Sequence, residues 1–317
     1  MRIDYLRVSV TDRCNLRCIY CNPLGNCNFL RRDEILTFEE IHHIVRLFAQ
    51  CGISRVRLTG GEPLVRKNII QLVRSLAAIA SIEELSLTTN GVLLEQVAVE
   101  LKSAGLSRIN ISVDSLDRES YRLITGFDLL ENVKRGIHKA VEVGLKPAKI
   151  NTVVLRGINE QDVVALAQLS VEMPVAVRFI EYCPTSKSIE FKRFFVPNNQ
   201  VRRTIESRFG PLAATVVANA AGPAVYFKVK HSAGCIGFIS GKSTFFCERC
   251  NRLRLTSDGK VRPCLYCAYH YDIKGLIRSG ASDEQILALM KNIITEKHRY
   301  TRLNSPAEEF SMRNVGG

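Results

Sequence analysis

Short runs of β-branched residues, each followed by an amphipathic stretch, recur six times in roughly the first 220 residues. This alternation is typical of parallel βα units, in which a buried strand leads into a helix that packs on the sheet. Six units are fewer than the eight of a closed barrel, so the pattern predicts an α/β fold with an incomplete, open (β/α)6 barrel. The predicted strands are Leu6–Val10, Arg55–Leu58, Leu85–Thr88, Arg108–Val113, Lys149–Val154 and Val175–Ile180.

The helical stretches carry start and stop signals of their own. Thr37, with Glu40 three residues later, forms a capping box, and a glycine follows the helix as a stop. The predicted helices are Phe38–Gln50, Ile69–Ala80, Leu94–Ala104, Leu130–Val143 and Gln161–Ser170, with a late one near Asp283–Lys297. The pattern weakens after about Asn198, which predicts a partial barrel over residues 1–220 and a smaller C-terminal domain over residues 221–317.

Composition limits the classes of protein to which the chain can belong. No run approaches the ~18 apolar residues of a membrane helix, and the N-terminus lacks a secretory signal, so we expect a soluble cytoplasmic protein. Eleven cysteines in a reducing compartment are more often metal ligands or redox centres than disulfides. The net charge of +13 favours an anionic partner, either a phosphorylated small molecule or a nucleic acid. The absence of Trp and the even spread of basic residues count against a nucleic acid.

A first group of cysteines, Cys14, Cys18 and Cys21, directly follows the first predicted strand. Three thiolates are one short of the four that hold a structural zinc or an electron-transfer [4Fe–4S] cluster. Such a loop leaves one iron of a cluster open to an outside ligand, unless Cys27 closes an ordinary ferredoxin-like or zinc site. Two glycines in the TGGEP sequence, after the second strand, let the backbone approach a ligand closely.

A second group of cysteines, Cys247, Cys250, Cys264 and Cys267, has the spacing C-x2-C-x13-C-x2-C. By itself this spacing is close to that of a zinc ribbon with four closed thiolates. If Cys267 does not bind metal, three thiolates again leave an open position. The spacing does not decide between these two sites.

The C-x3-C-x2-C run followed by TGGEP resembles the radical S-adenosylmethionine superfamily. Nearly the whole chain is similar to the GTP 3′,8-cyclase family, which opens molybdenum-cofactor biosynthesis. The similar segments are VTDRCNLRCIYC, RLTGGEPLVR, TTNG, INISVDSLD, KINTVVLRGIN, CERCNRLRLTSDGKVRPCL, YDIKGLIRSGASDE and a terminal Gly-Gly. The resemblance implies two [4Fe–4S] clusters. The first three cysteines would hold one that binds S-adenosylmethionine, and Cys247, Cys250 and Cys264 would hold one that meets GTP.

The resemblance also implies roles for individual residues. Around GTP it places Arg7, Arg57, Thr88, Lys149, Arg252, Leu253 and Arg254. Around S-adenosylmethionine it places Tyr20, Gly61, Ser112 and Cys183. Catalysis is implied to depend on Arg252, Arg254 and the tail glycines Gly316 and Gly317. Five of the seven residues around GTP are cationic, as a triphosphate requires.

The implied reaction converts GTP to (8S)-3′,8-cyclo-7,8-dihydroguanosine 5′-triphosphate. A 5′-deoxyadenosyl radical removes the hydrogen from C3′ of the ribose, and C3′ then bonds to C8 of the base. The resemblance further implies an electron donor such as flavodoxin or ferredoxin and a downstream cyclic pyranopterin monophosphate synthase. It implies no membrane partner and leaves room for a homodimer.

The chain departs from the family pattern at two cysteines. Cys183 stands where the family usually has a methionine against the adenosyl group, and Cys267 adds a thiol that would close the second cluster. These departures keep two alternatives open. One is a divergent radical enzyme that modifies a peptide or RNA, and the other is a zinc-ribbon protein that binds nucleic acid.

Overall fold

The computed structural model describes residues 2–21, 29–183, 191–217, 222–244, 247 and 250–300. Across these residues, every helix is too short or too polar to cross a lipid bilayer.

Six parallel strands in chain order form the centre of one sheet. They are β1 (Tyr5–Ser9), β2 (Arg55–Thr59), β3 (Glu84–Thr89), β4 (Arg108–Ser112), β5 (Ala148–Val154) and β6 (Val175–Glu181). Each matches a predicted strand to within one residue at either end. Among the described residues the two outermost strands of the sheet do not pair with each other, so the sheet stays open. The prediction of an α/β fold built on an open parallel sheet is therefore confirmed.

Ten helices are present in the described ranges. They are α1 (Phe38–Gln50), α2 (Ile69–Ala77), α3 (Leu94–Ser103), α4 (Arg118–Thr125), α5 (Leu130–Glu142), α6 (Val163–Glu172), α7 (Phe191–Phe194), α8 (Asn198–Phe209), α9 (Ile273–Arg278) and α10 (Asp283–Glu296). The capping box at Thr37 and Glu40 is formed at the start of α1. All six predicted helices are confirmed, whereas α4, α7, α8 and α9 were not predicted.

The C-terminal part of the chain lengthens the sheet at both edges. Its strands are β7 (Ala213–Thr215), β8 (Val225–Lys228), β9 (Cys235–Ile239), β10 (Arg252–Leu255), β11 (Lys260–Arg262) and β12 (Tyr271–Asp272). Strand β9 pairs in parallel with β6, and β10 pairs in parallel with β1. The domain boundary expected at residue 220 stays a prediction, and β7 and β8 pair across it.

The two faces of the parallel sheet differ in polarity because alternate strand residues face opposite sides. In β1, Leu6 and Val8 are fully buried in the hydrophobic core that includes the apolar face of α1. The intervening Arg7 lies on the other face and is also buried, at 9% exposure. Lys149 and Arg254 are similarly buried. The inner face of the sheet is therefore polar, cationic and largely closed to solvent.

Candidate active site

Three arginines stand side by side on the inner face. In the sheet register, Arg7 of β1 lies between Arg57 of β2 and Arg254 of β10. Burial lowers the pKa of Arg7 well below its ordinary value, and the charges of Arg254 and Arg57 lower it further. Buried cations at this spacing repel one another, and this repulsion makes the free energy of folding less favourable. A bound anion offsets the repulsion. This row suits a ligand that carries several negative charges.

A second cationic pair continues this surface across β5 and β6. Burial lowers the pKa of Lys149 to about 7, with further contributions from Arg178 and Arg57. The Arg178 guanidinium donates to Asn110 Oδ1 at 2.7 Å, and its buried Nε has no hydrogen-bond partner among the described residues. Arg178 was not predicted as a site residue. The sequence does contain a feature that could have identified it, because Arg178 is the only cation in the otherwise apolar start of β6.

Thr88 and Ser112 lie level with these two cations in the sheet register. Thr88 is aligned with Lys149 through Asn110, and Ser112 is aligned with Arg178 through Asn151. The register sets Thr88 of β3 beside Asn110 of β4, and the buried Thr88 Oγ1 has no hydrogen-bond partner among the described residues. Ser112 is half-buried as the last residue of β4 and pairs with Asn151 of β5. Asn151 Oδ1 is likewise buried and unpartnered within the described chain. The rim of the inner face thus offers hydroxyl and amide groups for a polar ligand.

The loop with the first three cysteines is held from two sides. Within it, Cys21 N donates to Cys18 O at 3.0 Å, and Leu16 N donates to Cys14 Sγ at 3.4 Å. From the end of β3, Asn90 Nδ2 lies 3.9 Å from Cys14 Sγ. The three thiols are partly exposed and none forms a disulfide. N–H groups aimed at sulfur favour a thiolate, which is the form that binds iron.

The Gly60-Gly61 pair packs directly against the backbone of residues 11–13, which lead into this loop. Gly61 N donates to Thr11 O at 2.7 Å, and Glu62 N donates to Arg13 O at 2.8 Å. A Cβ atom on Gly61 would lie 2.2 Å from Arg13 O, which is far inside van der Waals contact. Glycine is therefore needed here for the loop to take its position. The contact of Gly61 with the amino group of S-adenosylmethionine stays a prediction.

Glu62, which was not predicted as a site residue, ties the same segment to the end of β3. Its carboxylate accepts from Thr89 Oγ1 at 2.7 Å, from Asn90 N at 2.6 Å and from Leu64 N at 3.0 Å. It is 1% exposed, and burial raises its pKa to about 7 although these donors act in the opposite direction. The TGGEP and TTNG sequences thus form one connected support under the cysteine loop.

Tyr20, inside the cysteine loop, reaches the end of β4. Its hydroxyl donates to Asp114 Oδ2 at 2.6 Å, and Asp114 Oδ1 accepts from Val153 N at 2.8 Å. Burial raises the pKa of Asp114 to about 6 and also raises that of Tyr20. This pair anchors the loop over the C-terminal ends of β4 and β5.

The second group of cysteines flanks β10 and β11. Cys250 precedes β10, and its N–H donates to Cys247 O at 3.1 Å. Burial alone would raise the pKa of the Cys250 thiol, but Arg252 and Lys297 lower it overall. Burial lowers the pKa of Arg254 to about 10, with Arg252 acting in the same direction. The site arginines of β10 and the second group of cysteines are therefore electrostatic neighbours.

Leu253, between the two arginines of β10, belongs to the hydrophobic core and is fully buried. It lies on the opposite face of the strand from its neighbours, and its contact with GTP stays a prediction.

Cys267 is 5% exposed, and its carbonyl oxygen accepts from Arg262 Nε at 3.1 Å. Within the described chain, no three His, Cys, Asp or Glu side chains converge closely enough for a single metal ion.

Cys183 joins the two halves of the site. Its Sγ lies 2.9 Å from the hydroxyl of Tyr266, which stands between Cys264 and Cys267. Cys183, two residues after β6, is thus in contact with the part of the chain that carries Cys264 and Cys267. Cys27 and the tail glycines 316–317 lie outside the described residues, so the predictions about them stay predictions.

Both halves of the chain match known protein families. Residues 8–170 match the Radical SAM superfamily, and residues 175–303 match Molybdenum Cofactor Synthesis C. A curated GTP 3′,8-cyclase of Thermodesulfovibrio yellowstonii is 46% identical over 317 residues, covering 99% of this chain and 98% of the relative. The chain belongs to the GTP 3′,8-cyclase family. A second family member, from Pelotomaculum thermopropionicum, is 44% identical over 317 residues with the same coverage.

One solved structure outside the GTP 3′,8-cyclase family shares the fold. Streptococcus suis SuiB bound to S-adenosylmethionine aligns with a TM-score of 0.64 and 15% identity, covering 92% of this chain and 68% of SuiB. At this identity the likeness concerns the fold alone.

Proposed function

We propose that this chain converts GTP to (8S)-3′,8-cyclo-7,8-dihydroguanosine 5′-triphosphate, the first step of molybdenum-cofactor biosynthesis. The observation that carries the proposal is the row of Arg57, Arg7 and Arg254 on the inner face, beside the second group of cysteines, in a member of the GTP 3′,8-cyclase family. Arg7 and Arg254 of this row are buried, and Arg57 is half-buried. A triphosphate supplies the charge that this row requires, since guanidinium groups bind phosphate oxygens in pairs.

Two [4Fe–4S] clusters fit the donor sets that the chain presents. Cys14, Cys18 and Cys21 would hold the first, and the second group of cysteines would hold the other through Cys247, Cys250 and Cys264. A cluster held by the first three cysteines would, together with S-adenosylmethionine, supply the 5′-deoxyadenosyl radical chemistry needed to remove the C3′ hydrogen and close the C3′–C8 bond. The thiols are free of disulfides, as ligands of an iron cluster must be.

The work of the chain's own residues is positioning. The cationic row and Lys149 would hold the triphosphate. Arg254, a member of this row, and Arg252 lie beside the second group of cysteines. Tyr20 and Asp114 fix the first cysteine loop over the strand ends. Base, ribose and phosphates are thereby anchored at separate points. A displacement of about 1 Å at a distant anchor can cost about a hundredfold in rate.

Replacement of both Arg252 and Arg254 by alanine tests the assignment of GTP to this surface. We expect the variant to cleave S-adenosylmethionine, measured as 5′-deoxyadenosine after anaerobic incubation with reductant and GTP, but to form no cyclised product. The matched control is alanine at Arg203 and Arg208, two exposed arginines of α8. Full product formation by the Arg252/Arg254 variant would refute the assignment.

Metal content tests the two clusters separately from the reaction. Anaerobically purified protein should contain about eight irons per chain and matching sulfide. A content of about four irons and one zinc would instead assign the second group of cysteines to a structural zinc site.

The remaining partners follow from the chemistry. The reaction needs a reduced one-electron carrier, for which flavodoxin or ferredoxin is suitable, and its product would pass to a cyclic pyranopterin monophosphate synthase. Iron clusters with an open position are best preserved in a reducing cytoplasm. The glycine tail would support turnover, and size-exclusion chromatography tests whether the chain forms a homodimer.

A further inference from the structure

Three large apolar side chains are exposed together beside the first cysteine loop. Ile19 is 40% exposed, Leu123 61% and Phe127 36%. Ile19 N donates to Ile124 O at 3.0 Å, and Arg17 N donates to Thr125 O at 2.9 Å. The loop and the end of α4 are therefore one continuous surface. Single exposed apolar residues are common, but a cluster of them marks an interaction site.

This surface is cationic as well as apolar. The Arg17 guanidinium lies over the Phe127 ring, 5.8 Å from its centroid, and Arg122 is exposed on the last turn of α4. Within the described residues neither arginine has a carboxylate oxygen within 4.0 Å, although the charge of Arg122 helps to lower the pKa of Asp128. The nearby Asp128 is already paired with Arg118. We name this surface, formed by Arg17, Ile19, Arg122, Leu123 and Phe127, the loop–helix patch.

The position of the loop–helix patch separates it from the proposed GTP site. Arg17 and Ile19 flank Cys18, one of the three cysteines of the first loop, and both are exposed. In the cationic row that would hold GTP, Arg7 and Arg254 are buried on the inner face of the sheet. A protein seated on the patch would thus contact the first cysteine loop at its exposed residues, away from the buried arginines of the inner face.

We propose that the loop–helix patch docks an acidic one-electron carrier protein that reduces the first cluster. Exposed aromatic, aliphatic and arginine side chains are the groups enriched in protein interfaces, and the arginines attract a partner of opposite charge. Docking transfers one electron: the carrier is oxidised by one electron, the cluster is reduced by one, and no covalent bond is made or broken. This inference rests on the proposed function, because it assumes the first cluster.

Binding provides the first test, and it does not depend on turnover. Fluorescently labelled oxidised flavodoxin is titrated with the protein, and anisotropy gives the Kd. The variant Arg122→Glu/Leu123→Asp should weaken binding by about tenfold or more, because it reverses a charge and places a carboxylate in the apolar contact. The control Arg203→Glu/Val216→Asp likewise reverses an arginine and replaces an aliphatic side chain by aspartate, at exposed positions on α8 and beyond β7, and should not weaken binding. Raising the ionic strength from about 0.05 to about 0.2 M should weaken wild-type binding.

Turnover with two reductants provides the second test. With reduced flavodoxin, the patch variant should form 5′-deoxyadenosine about tenfold more slowly than wild type at low donor concentration. With dithionite, which needs no docking surface, the two proteins should have equal rates. Absence of GTP-dependent product from wild type with dithionite would count against the proposed function itself, whatever the patch does.

Three results would overturn the docking proposal. The first is unchanged flavodoxin affinity in the patch variant. The second is an equal loss of rate with both reductants, also in the milder Arg122→Gln, which would mean that α4 only supports the cysteine loop. The third is conversion of a dimer to a monomer by the patch variant, which would assign the surface to a second copy of the chain.

Discussion

Replacement of Lys149 by methionine should stabilise the ligand-free chain and weaken its binding of GTP. Lys149 is 4% exposed in β5, and burial, with Arg178 and Arg57, lowers its pKa from 10.5 to about 7. Between these two pH values the unfolded chain holds a proton on Lys149 that the folded chain has released. Methionine keeps most of the side-chain length and removes the charge. The substitution therefore measures how much the buried charge of Lys149 lowers the free energy of unfolding.

The pKa difference sets the size of the effect. It corresponds to roughly 5 kcal/mol of unfavourable free energy for the charged form in the folded chain. Near about pH 6.5, where the folded chain carries that charge, Lys149→Met should raise the free energy of unfolding by a few kcal/mol. As pH rises from about 7 to about 9, the folded chain releases the Lys149 proton while the unfolded chain keeps it. Wild type should therefore gain stability relative to the variant, by up to about 1.4 kcal/mol per pH unit.

Bound GTP should raise the pKa of Lys149 again, because the triphosphate favours the protonated lysine. Binding by wild type above about pH 7 should therefore take up about one proton, and affinity should fall as pH rises. Proton uptake is measured by titration calorimetry in two buffers that differ in ionisation enthalpy. The variant should bind GTP more weakly and without this uptake.

Urea denaturation of the ligand-free protein across this pH range provides the stability measurement. Lys67→Met, at an exposed lysine, is the matched control and should change the free energy of unfolding little at any pH. If Lys149→Met behaves like Lys67→Met throughout, or if it still takes up a proton with GTP, then burial of Lys149 is not the source of the effect.

Gly61→Ala should reduce 5′-deoxyadenosine formation by at least about tenfold, because its Cβ would lie 2.2 Å from Arg13 O and displace the cysteine loop. Tyr266→Phe should raise the KM for S-adenosylmethionine about two- to tenfold with little change in kcat, because it removes the hydroxyl 2.9 Å from Cys183 Sγ. Deletion of residues 316–317 should lower formation of cyclised product while leaving the iron content unchanged.

Matched substitutions separate these effects from general damage. A methyl group added at Gly222 would meet no atom within 4 Å, so Gly222→Ala should leave 5′-deoxyadenosine formation intact. Tyr269 is 49% exposed, so Tyr269→Phe should not move the KM. Normal activity of Gly61→Ala, an unchanged KM in Tyr266→Phe, or full product from the shortened chain would contradict the respective prediction.

Helix α4 shows why local pattern reading missed part of the site. It has only eight residues, of which Tyr121, Ile124 and Thr125 are buried, too few to reveal an apolar period. Its N-cap is Asp117, and it ends at Gly126, which has a left-handed backbone conformation. Both residues are helix start and stop signals in the sequence, but eight residues between them are too few to predict a helix. Its role comes from hydrogen bonds to the cysteine loop, about a hundred residues earlier in the chain, and no local pattern encodes such a contact.

The sequence by itself determined the parallel strands, the main helices and the two groups of cysteines, because each depends on local periodicity or on fixed spacing along the chain. Only the tertiary structure decided that Arg7 stands between Arg57 and Arg254, that Arg178 joins them, and that Cys183 contacts Tyr266 between Cys264 and Cys267. The physical reason is strand register, because hydrogen bonding between strands that are distant in sequence sets which side chains share a face of the sheet. That arrangement also sets the charge and burial of the side chains in the site.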